Sequence, residues 1–139
     1  YMLAPGEIIE CVNFINEAII YSAPSVSQRC ALYALKDYKR LKEKIVPVFK
    51  ERVEYCYNRI KKIGFLDCFK PEGGIYVFVN IQKTGMSSQE FTDYLFDNYN
   101  IAVVNGDTFG IKGFVRIACT LDIALLKEAF DRIEKIKFK

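Results

Sequence analysis

The chain changes its hydrophobic period once, near residue 64, and this change constrains the fold more than any other feature. Before that point apolar side chains recur every three or four residues, as they do on one face of a helix. After it, β-branched and aromatic runs alternate with helical segments in the order β-β-α-β-β-α. This order predicts an α/β (α+β) fold in which helices flank a mixed sheet over roughly residues 45–139. We expect residues 1–36 to form helices that pack on another body.

The first part of the chain predicts two helices of ordinary length. Helical spacing indicates a first helix to about Ile20. Ser25 and Gln28 have the spacing of a capping box, which predicts the start of a second helix that ends near Lys36.

A helical pattern rich in Lys, Arg and Glu continues from Asp37 to Ile63, which at ~1.5 Å per residue is about 40 Å. Pro47 falls inside it, and because proline removes a backbone donor, we expect a kink or a restart there. The stretch is therefore either one long connector between two domains or two helices with a short break. Gly64 is expected to end it as a left-handed cap.

Four short runs of β-branched and aromatic residues predict the strands of the second part. One of them, IYVFVNI, is typical of a strand that is buried on both faces. In chain order the four runs are FLDCF, IYVFVNI, IAVV and FVRIAC.

Two helices are expected among these strands. Ser87 and Glu90 form a capping box for a helix to about Asn98, and Thr120 is expected to cap the last helix. Three side chains of the last helix are expected to face inward, namely Leu126, Phe130 and Ile133.

The composition argues against several kinds of site. The chain has no histidine, which removes the commonest general base and makes a zinc or other metal site and a Ser-His-Asp triad unexpected. A net charge of +3 is too balanced to predict nucleic-acid binding, and no apolar run reaches the ~20 residues that span a bilayer.

With no CxxC spacing, the five cysteines are interpreted as reduced core residues of a cytosolic protein. They are Cys11, Cys30, Cys56, Cys68 and Cys119.

Arg116 is the sharpest candidate for a functional residue. Two-residue alternation in FVRIAC places Phe114, Arg116 and Ala118 on one face of the strand. A guanidinium cannot lose its charge, so a buried one needs an anion, and its planar fork matches a carboxylate. From spacing alone, the more common alternatives are an exposed edge-strand arginine and a structural pair with Asp or Glu.

Two glycine-containing loops are further candidates for contact with a ligand. NGDTFGIKG matches neither common phosphate-binding motif, and its Asp107 suits a cap or a turn. Gly73 and Gly74 precede a strand, where they serve either turn geometry or the close approach of a ligand to the backbone. No lysine lies alone in an apolar pattern, so we find no convincing nucleophile or base in the chain.

In order and over the whole chain, these segments resemble the fold-type-I, class I/II aminotransferases, the pyridoxal-phosphate-dependent group that includes aspartate aminotransferase. KPEGGIYVFVNI resembles the family's P-x-G-x-Y strand entry, and the run ending in TFG is followed by VRI, as in the family. VFKERVEYCYNRIKKIGF resembles the helix that joins the large and small domains. Asn105 and Asp107 depart from the family, which usually has proline and a small residue there.

The resemblance implies that the full protein moves an amino group between an amino acid and a 2-oxo acid on pyridoxal 5'-phosphate. It implies that Arg116 binds the α-carboxylate of the substrate and that Gly73 and Gly74 lie near the substrate. The Schiff-base lysine and the phosphate-binding residues would precede Tyr1, so we expect no catalytic and no cofactor-binding residue in this chain. A lyase on the same scaffold and a non-catalytic α+β binding module are the alternatives.

The same resemblance implies a division of the chain and a setting for it. Residues 1–38 would be terminal helices of the large cofactor domain, 39–64 the connecting helix and 65–139 the small domain. The full protein is expected to be a cytoplasmic homodimer without nucleic-acid or membrane partners. Closure of the small domain is expected about Pro47, which a superposition of open and ligand-bound forms of the full enzyme would test.

Overall fold

The computed structural model describes residues 2–138, so the outermost residues of the ranges expected above lie outside the described part. The chain divides into two compact units, Tyr1–Glu43 and Lys44–Lys139.

The first unit holds two amphipathic helices, α1 (Gly6–Ile19) and α2 (Ser25–Lys36), which confirms both expected helices. Neither helix has a buried side chain. The expected capping box of α2 is wrong, because Pro24 occupies the N-cap position and Ser25 is already helical. Gln28 instead donates its side-chain amide to the Ala23 carbonyl oxygen at 2.7 Å.

Helix α3 (Tyr38–Ile60) is continuous through Pro47, so of the two alternatives the structure has the single long helix. Its end differs from the expectation, because Gly64 is not among the glycines with positive φ. The chain leaves the helix through tight turns in which the Lys62 and Ile63 amides donate to carbonyl oxygens three residues earlier. These bonds use the last free carbonyls, so no left-handed residue is needed.

A three-stranded sheet forms the centre of the second unit, in the order β1-β3-β2. Its strands are β1 (Tyr76–Asn80), β2 (Val104–Asn105) and β3 (Phe114–Ala118). The first expected strand, FLDCF, contributes only a bridge between Asp67 and Asn80.

The helix-flanked fold is confirmed, but the sheet is antiparallel throughout the described residues and not mixed. β1 and β2 run in the same direction, since each pairs antiparallel with β3. They would form a parallel pair if they were neighbours, but β3 lies between them. The sequence order alone does not specify this insertion.

One face of the sheet forms the core with residues 53–66 and the last two helices. IYVFVNI is therefore buried on one face and not on both, since Val77 and Val79 are buried while Tyr76 is exposed. The expected core position is confirmed for Cys56, Cys68 and Cys119, which are buried. It is wrong for the cysteines of α1 and α2, because those helices bury none of their side chains. The exposed pair is Cys11 and Cys30.

Helices α4 (Ser88–Tyr99) and α5 (Ile123–Ile133) cover the core face. Ser87 and Glu90 form the expected reciprocal capping box. The cap of α5 is wrong by two residues, because the Asp122 side chain, and not Thr120, accepts the Leu125 amide. The inward direction of three α5 side chains is confirmed, namely Leu126, Phe130 and Ile133.

Candidate anion-binding site

Arg116 lies on the central strand, on the sheet face opposite the core. In the register of the sheet it is opposite Phe78 on β1 and Val104 on β2. The edge-strand alternative is therefore wrong, because strands flank β3 on both sides. The side chain is half-buried by its neighbours on this face.

Two aromatic rings enclose the guanidinium of Arg116. Its central carbon lies 4.2 Å from the ring centroid of Tyr76 and 4.7 Å from that of Phe109. Its Nε is buried and has no hydrogen-bond partner among residues 2–138. No Asp or Glu among residues 2–138 lies within ion-pair distance of it, so the structural-pair alternative does not describe this arginine either. The charge is thus held by ring faces and has no protein counter-ion in the described chain.

The loop before β3 holds Phe109 in place. A short 3-10 helix spans Gly106–Phe109, and the Asn105 side chain caps it by accepting the Asp107 amide at 2.8 Å. Gly110 ends it in the left-handed region with φ of 77°. The Asn105 amide also donates to the Gln89 side chain of α4 at 2.8 Å, which ties the loop to the helix beside it. The loop therefore has a defined, hydrogen-bonded conformation that positions Phe109, and it is not a plain hairpin connection.

Gly106 allows this loop to pass close to the strand that follows it. A Cβ there would lie 2.7 Å from the Ile111 carbonyl oxygen and closer still to that of Phe114. Both are backbone atoms, which cannot move aside as a side chain could. Position 106 therefore requires glycine for space, although its φ is ordinary.

Gly73 and Gly74 line a groove of about 500 Å³ beside α3. Gly74 has φ of 77°, which confirms that the turn needs a left-handed residue there. The groove is walled by apolar side chains of α3 such as Phe49 and Val53, and Arg116 is not among its lining residues. The structure therefore does not bring the two glycines and Arg116 into one cavity, and the expected proximity of the glycines to a substrate stays a prediction.

The described residues offer no suitable amine for a pyridoxal phosphate Schiff base. Every lysine between residues 2 and 138 is exposed, whereas a Schiff-base lysine needs a desolvated environment that lowers its pKa. The pKa of Lys61 is raised by its hydrogen bond to Asp67, and that of Lys127 by its hydrogen bond to Asp131. Over the same residues no cluster of His, Cys, Asp and Glu could hold a metal ion, and no helix is long and apolar enough to cross a membrane.

Tyr76 and Phe109 are the site residues that sequence reasoning missed. Alternation places Tyr76 on the same face of its strand as Phe78, which is a usable signal once the register with β3 is known. The register itself is not readable from the sequence. Phe109 belongs to a loop, where no periodicity applies.

Comparison with known proteins identifies relatives over the whole chain. A family model described as aminotransferase class I and II matches residues 1–133. The probable N-acetyl-LL-diaminopimelate aminotransferase of Bacillus subtilis is 30% identical over 100% of this chain and 36% of its own length. The aspartate aminotransferase of Pyrococcus horikoshii is 31% identical over 97% of this chain and also 36% of its own length. The chain thus spans little more than a third of these relatives.

Solved structures agree with this result. The crystal structure of an aromatic aminotransferase from Pyrococcus horikoshii matches with a TM-score of 0.83 and 31% identity over 95% of this chain and 36% of that one. The aspartate aminotransferase from Rhizobium meliloti matches with a TM-score of 0.82 and 28% identity over 94% of this chain. The described fold is therefore similar to part of these enzymes.

Proposed function

This chain belongs to the class I and II aminotransferase family, and we propose that the protein carrying it transfers an amino group between an amino acid and a 2-oxo acid. The observation that carries the proposal is the guanidinium of Arg116, which lies on a central strand without a protein counter-ion among the described residues.

In this proposal Arg116 binds the α-carboxylate of the amino acid or the 2-oxo acid. Both substrates have this group, so one arginine serves both halves of a transfer cycle. Two parallel charge-assisted hydrogen bonds would fix the orientation of the carboxylate and hence of the adjacent Cα. Among residues 2–138 no carboxylate lies within ion-pair distance of Arg116, which supports this role because no described acid competes with a ligand for its charge.

Pyridoxal 5'-phosphate is the proposed cofactor, and it would supply the electron sink for the bond changes at Cα. The exposed lysines of the described residues do not fit its attachment, so we assign it to the part of the protein outside this chain. We propose that residues 65–139 form a small domain, 39–64 a connecting helix and 1–38 helices of the cofactor domain. We further propose that the whole protein is a cytoplasmic homodimer.

The test replaces Arg116 by alanine in the full-length protein. Removing the guanidinium should cost about 2–5 kcal/mol of carboxylate binding, seen as a large rise in KM for the amino acid. Lys135→Ala is the matched control, because it removes one positive charge from an exposed position in the turn after α5. Unchanged kinetics in Arg116→Ala, or an equal loss in the control, would remove Arg116 from the site.

A further inference from the structure

The guanidinium of Arg116 lies against two rings, and no acid among residues 2–138 pairs with it. We propose that Tyr76 and Phe109 are positioning residues that orient Arg116 for its carboxylate ligand while leaving its charge unneutralised. This inference rests on the proposed function and adds two residues to it. It follows from where the rings lie and from which donors they leave free.

Ring faces and carboxylates hold a guanidinium in different ways. A carboxylate accepts the N–H groups that lie in the guanidinium plane, so an acidic partner would occupy the donors that a substrate needs. An aromatic ring attracts the whole cation toward its face and takes up no conventional hydrogen bond from it. The carbon of Arg116 lies 4.2 Å from the ring centroid of Tyr76 and 4.7 Å from that of Phe109, and its N–H groups have no hydrogen-bond acceptor among residues 2–138. The in-plane donors are not consumed.

The burial of Nε indicates which donors remain for a ligand. Nε is shielded from solvent and has no acceptor, whereas the terminal nitrogens are neither hydrogen-bonded nor fully buried among the described residues. A carboxylate would therefore meet the Nη1 and Nη2 end of the fork. Because the rings already restrict the side chain, less rotamer freedom is lost when the ligand binds.

The two rings belong to different elements, the first strand and the loop before the last one. Tyr76 begins β1 and is held by strand pairing with Ala118. Phe109 ends the short 3-10 helix and packs edge-on against Phe78, with centroids 5.7 Å apart. Both rings are partly open, with exposed fractions of 43% for Tyr76 and 45% for Phe109. Such exposed aromatic side chains contribute little to the core, so replacing either one should leave the fold intact.

The test uses Tyr76→Leu and Phe109→Leu in the full-length holoenzyme. Leucine keeps an apolar side chain but has no ring face, so each change should raise KM for the amino acid by about two- to thirtyfold, with a smaller effect on kcat. The inhibition constant of propionate, a carboxylate without an amino group, should rise by a similar factor. Tyr76→Phe keeps the ring face and should restore both values to within about twofold of wild type.

A purely structural role would give a different pattern. It would lower the melting temperature and reduce kcat, and it would not separate Tyr76→Phe from Tyr76→Leu through propionate binding. If leucine at either position lowers the melting temperature, methionine at the same position provides a second ring-free variant of similar volume whose unbranched side chain adapts to the gap. Unchanged propionate inhibition in folded ring-free variants overturns the proposal.

Arg116→Ala separates this inference from the function on which it rests. If Arg116→Ala raises KM while both leucine variants behave as wild type, the ring positioning is wrong and the carboxylate-binding role stands. If Arg116→Ala itself leaves KM and propionate inhibition unchanged, both proposals are wrong.

Discussion

At the scale of single residues, Gly106 makes the sharpest prediction about stability. Gly106→Ala places a methyl group against two backbone carbonyl oxygens, those of Ile111 and Phe114. The loop must shift, which should cost about 1–3 kcal/mol in the free energy of unfolding measured by urea denaturation. Because the same loop holds Phe109, KM for the amino acid should also rise.

Gly73→Ala is the matched control for this prediction. A Cβ at position 73 contacts nothing within 4 Å, and Gly73 is not among the glycines with positive φ. The unfolding free energy should stay within about 0.5 kcal/mol of wild type. Equal stability of the two alanine variants would show that the loop accommodates a side chain at position 106.

The site shows what a sequence can indicate about individual residues. Strand alternation was enough to single out Arg116 and to place it on the face opposite Val115, which is buried. The two alternatives that spacing favoured both depend on neighbours from other segments. Only the pairing of β3 with β1 and β2 decides between them, and the pairing with β1 joins Arg116 to Phe78, which lies 38 positions earlier in the chain. Tyr76 was missed for this reason.

At the scale of elements, the helix caps show which features neighbouring residues are enough to predict and which depend on the rest of the fold. The Ser87 box was predictable because both of its bonds join residues three apart. For α5 the expected cap was Thr120, whereas the actual cap is Asp122 two residues later, because the position where the helix starts decides which residue caps it. The Arg52 guanidinium donates to the Thr120 carbonyl oxygen at 2.6 Å, which holds this residue on the strand-to-helix connection.

These two residues allow a direct comparison. Asp122→Ala removes the acceptor of the Leu125 amide and should cost about 0.5–2 kcal/mol of local helix stability. Hydrogen exchange at the first turn of α5 should become faster in this variant. Thr120→Ala leaves the capping bond and the backbone carbonyl intact, so exchange there should match wild type. Faster exchange in Thr120→Ala alone would assign the cap to Thr120 after all.

The long helix shows a further limit of local rules. Pro47 removes one backbone donor, yet α3 continues on both sides of it over 23 residues. Packing of its later turns supplies stability that a proline rule does not count, since Val53, Cys56 and Ile60 are buried. Arg59 adds to it by contacting Asp131 at 2.7 Å and Glu134 at 2.9 Å. The helical pattern of charged residues predicted the extent of α3 well, whereas Pro47 does not interrupt the helix.

At the scale of the whole molecule, the order of elements predicted the fold class but not the strand arrangement. The order β-α-β places α4 between β1 and β2, which would make a parallel pair if the two strands were adjacent. β3 enters between them and turns the sheet antiparallel. Tertiary contacts decide which strands pair, because the hydrophobic pattern of each strand is compatible with either arrangement.

The distribution of lysines leads to a prediction for the chain as a whole. All lysines between residues 2 and 138 are exposed, and hydrogen bonds to carboxylates raise the pKa of Lys61 and Lys127. An amine with a raised pKa has an even smaller unprotonated fraction at neutral pH than other lysines, so it forms a Schiff base more slowly. Incubation of the isolated chain with pyridoxal phosphate, followed by borohydride reduction and mass spectrometry, should therefore label several lysines at low occupancy, Lys61 and Lys127 least.

The denatured chain is the control, in which the protection of Lys61 and Lys127 should disappear because their carboxylate partners are lost. Stoichiometric labelling of a single lysine in the untreated chain would mean that residues 1–139 contain a cofactor site, and the assignment of the cofactor to the rest of the protein would then be wrong.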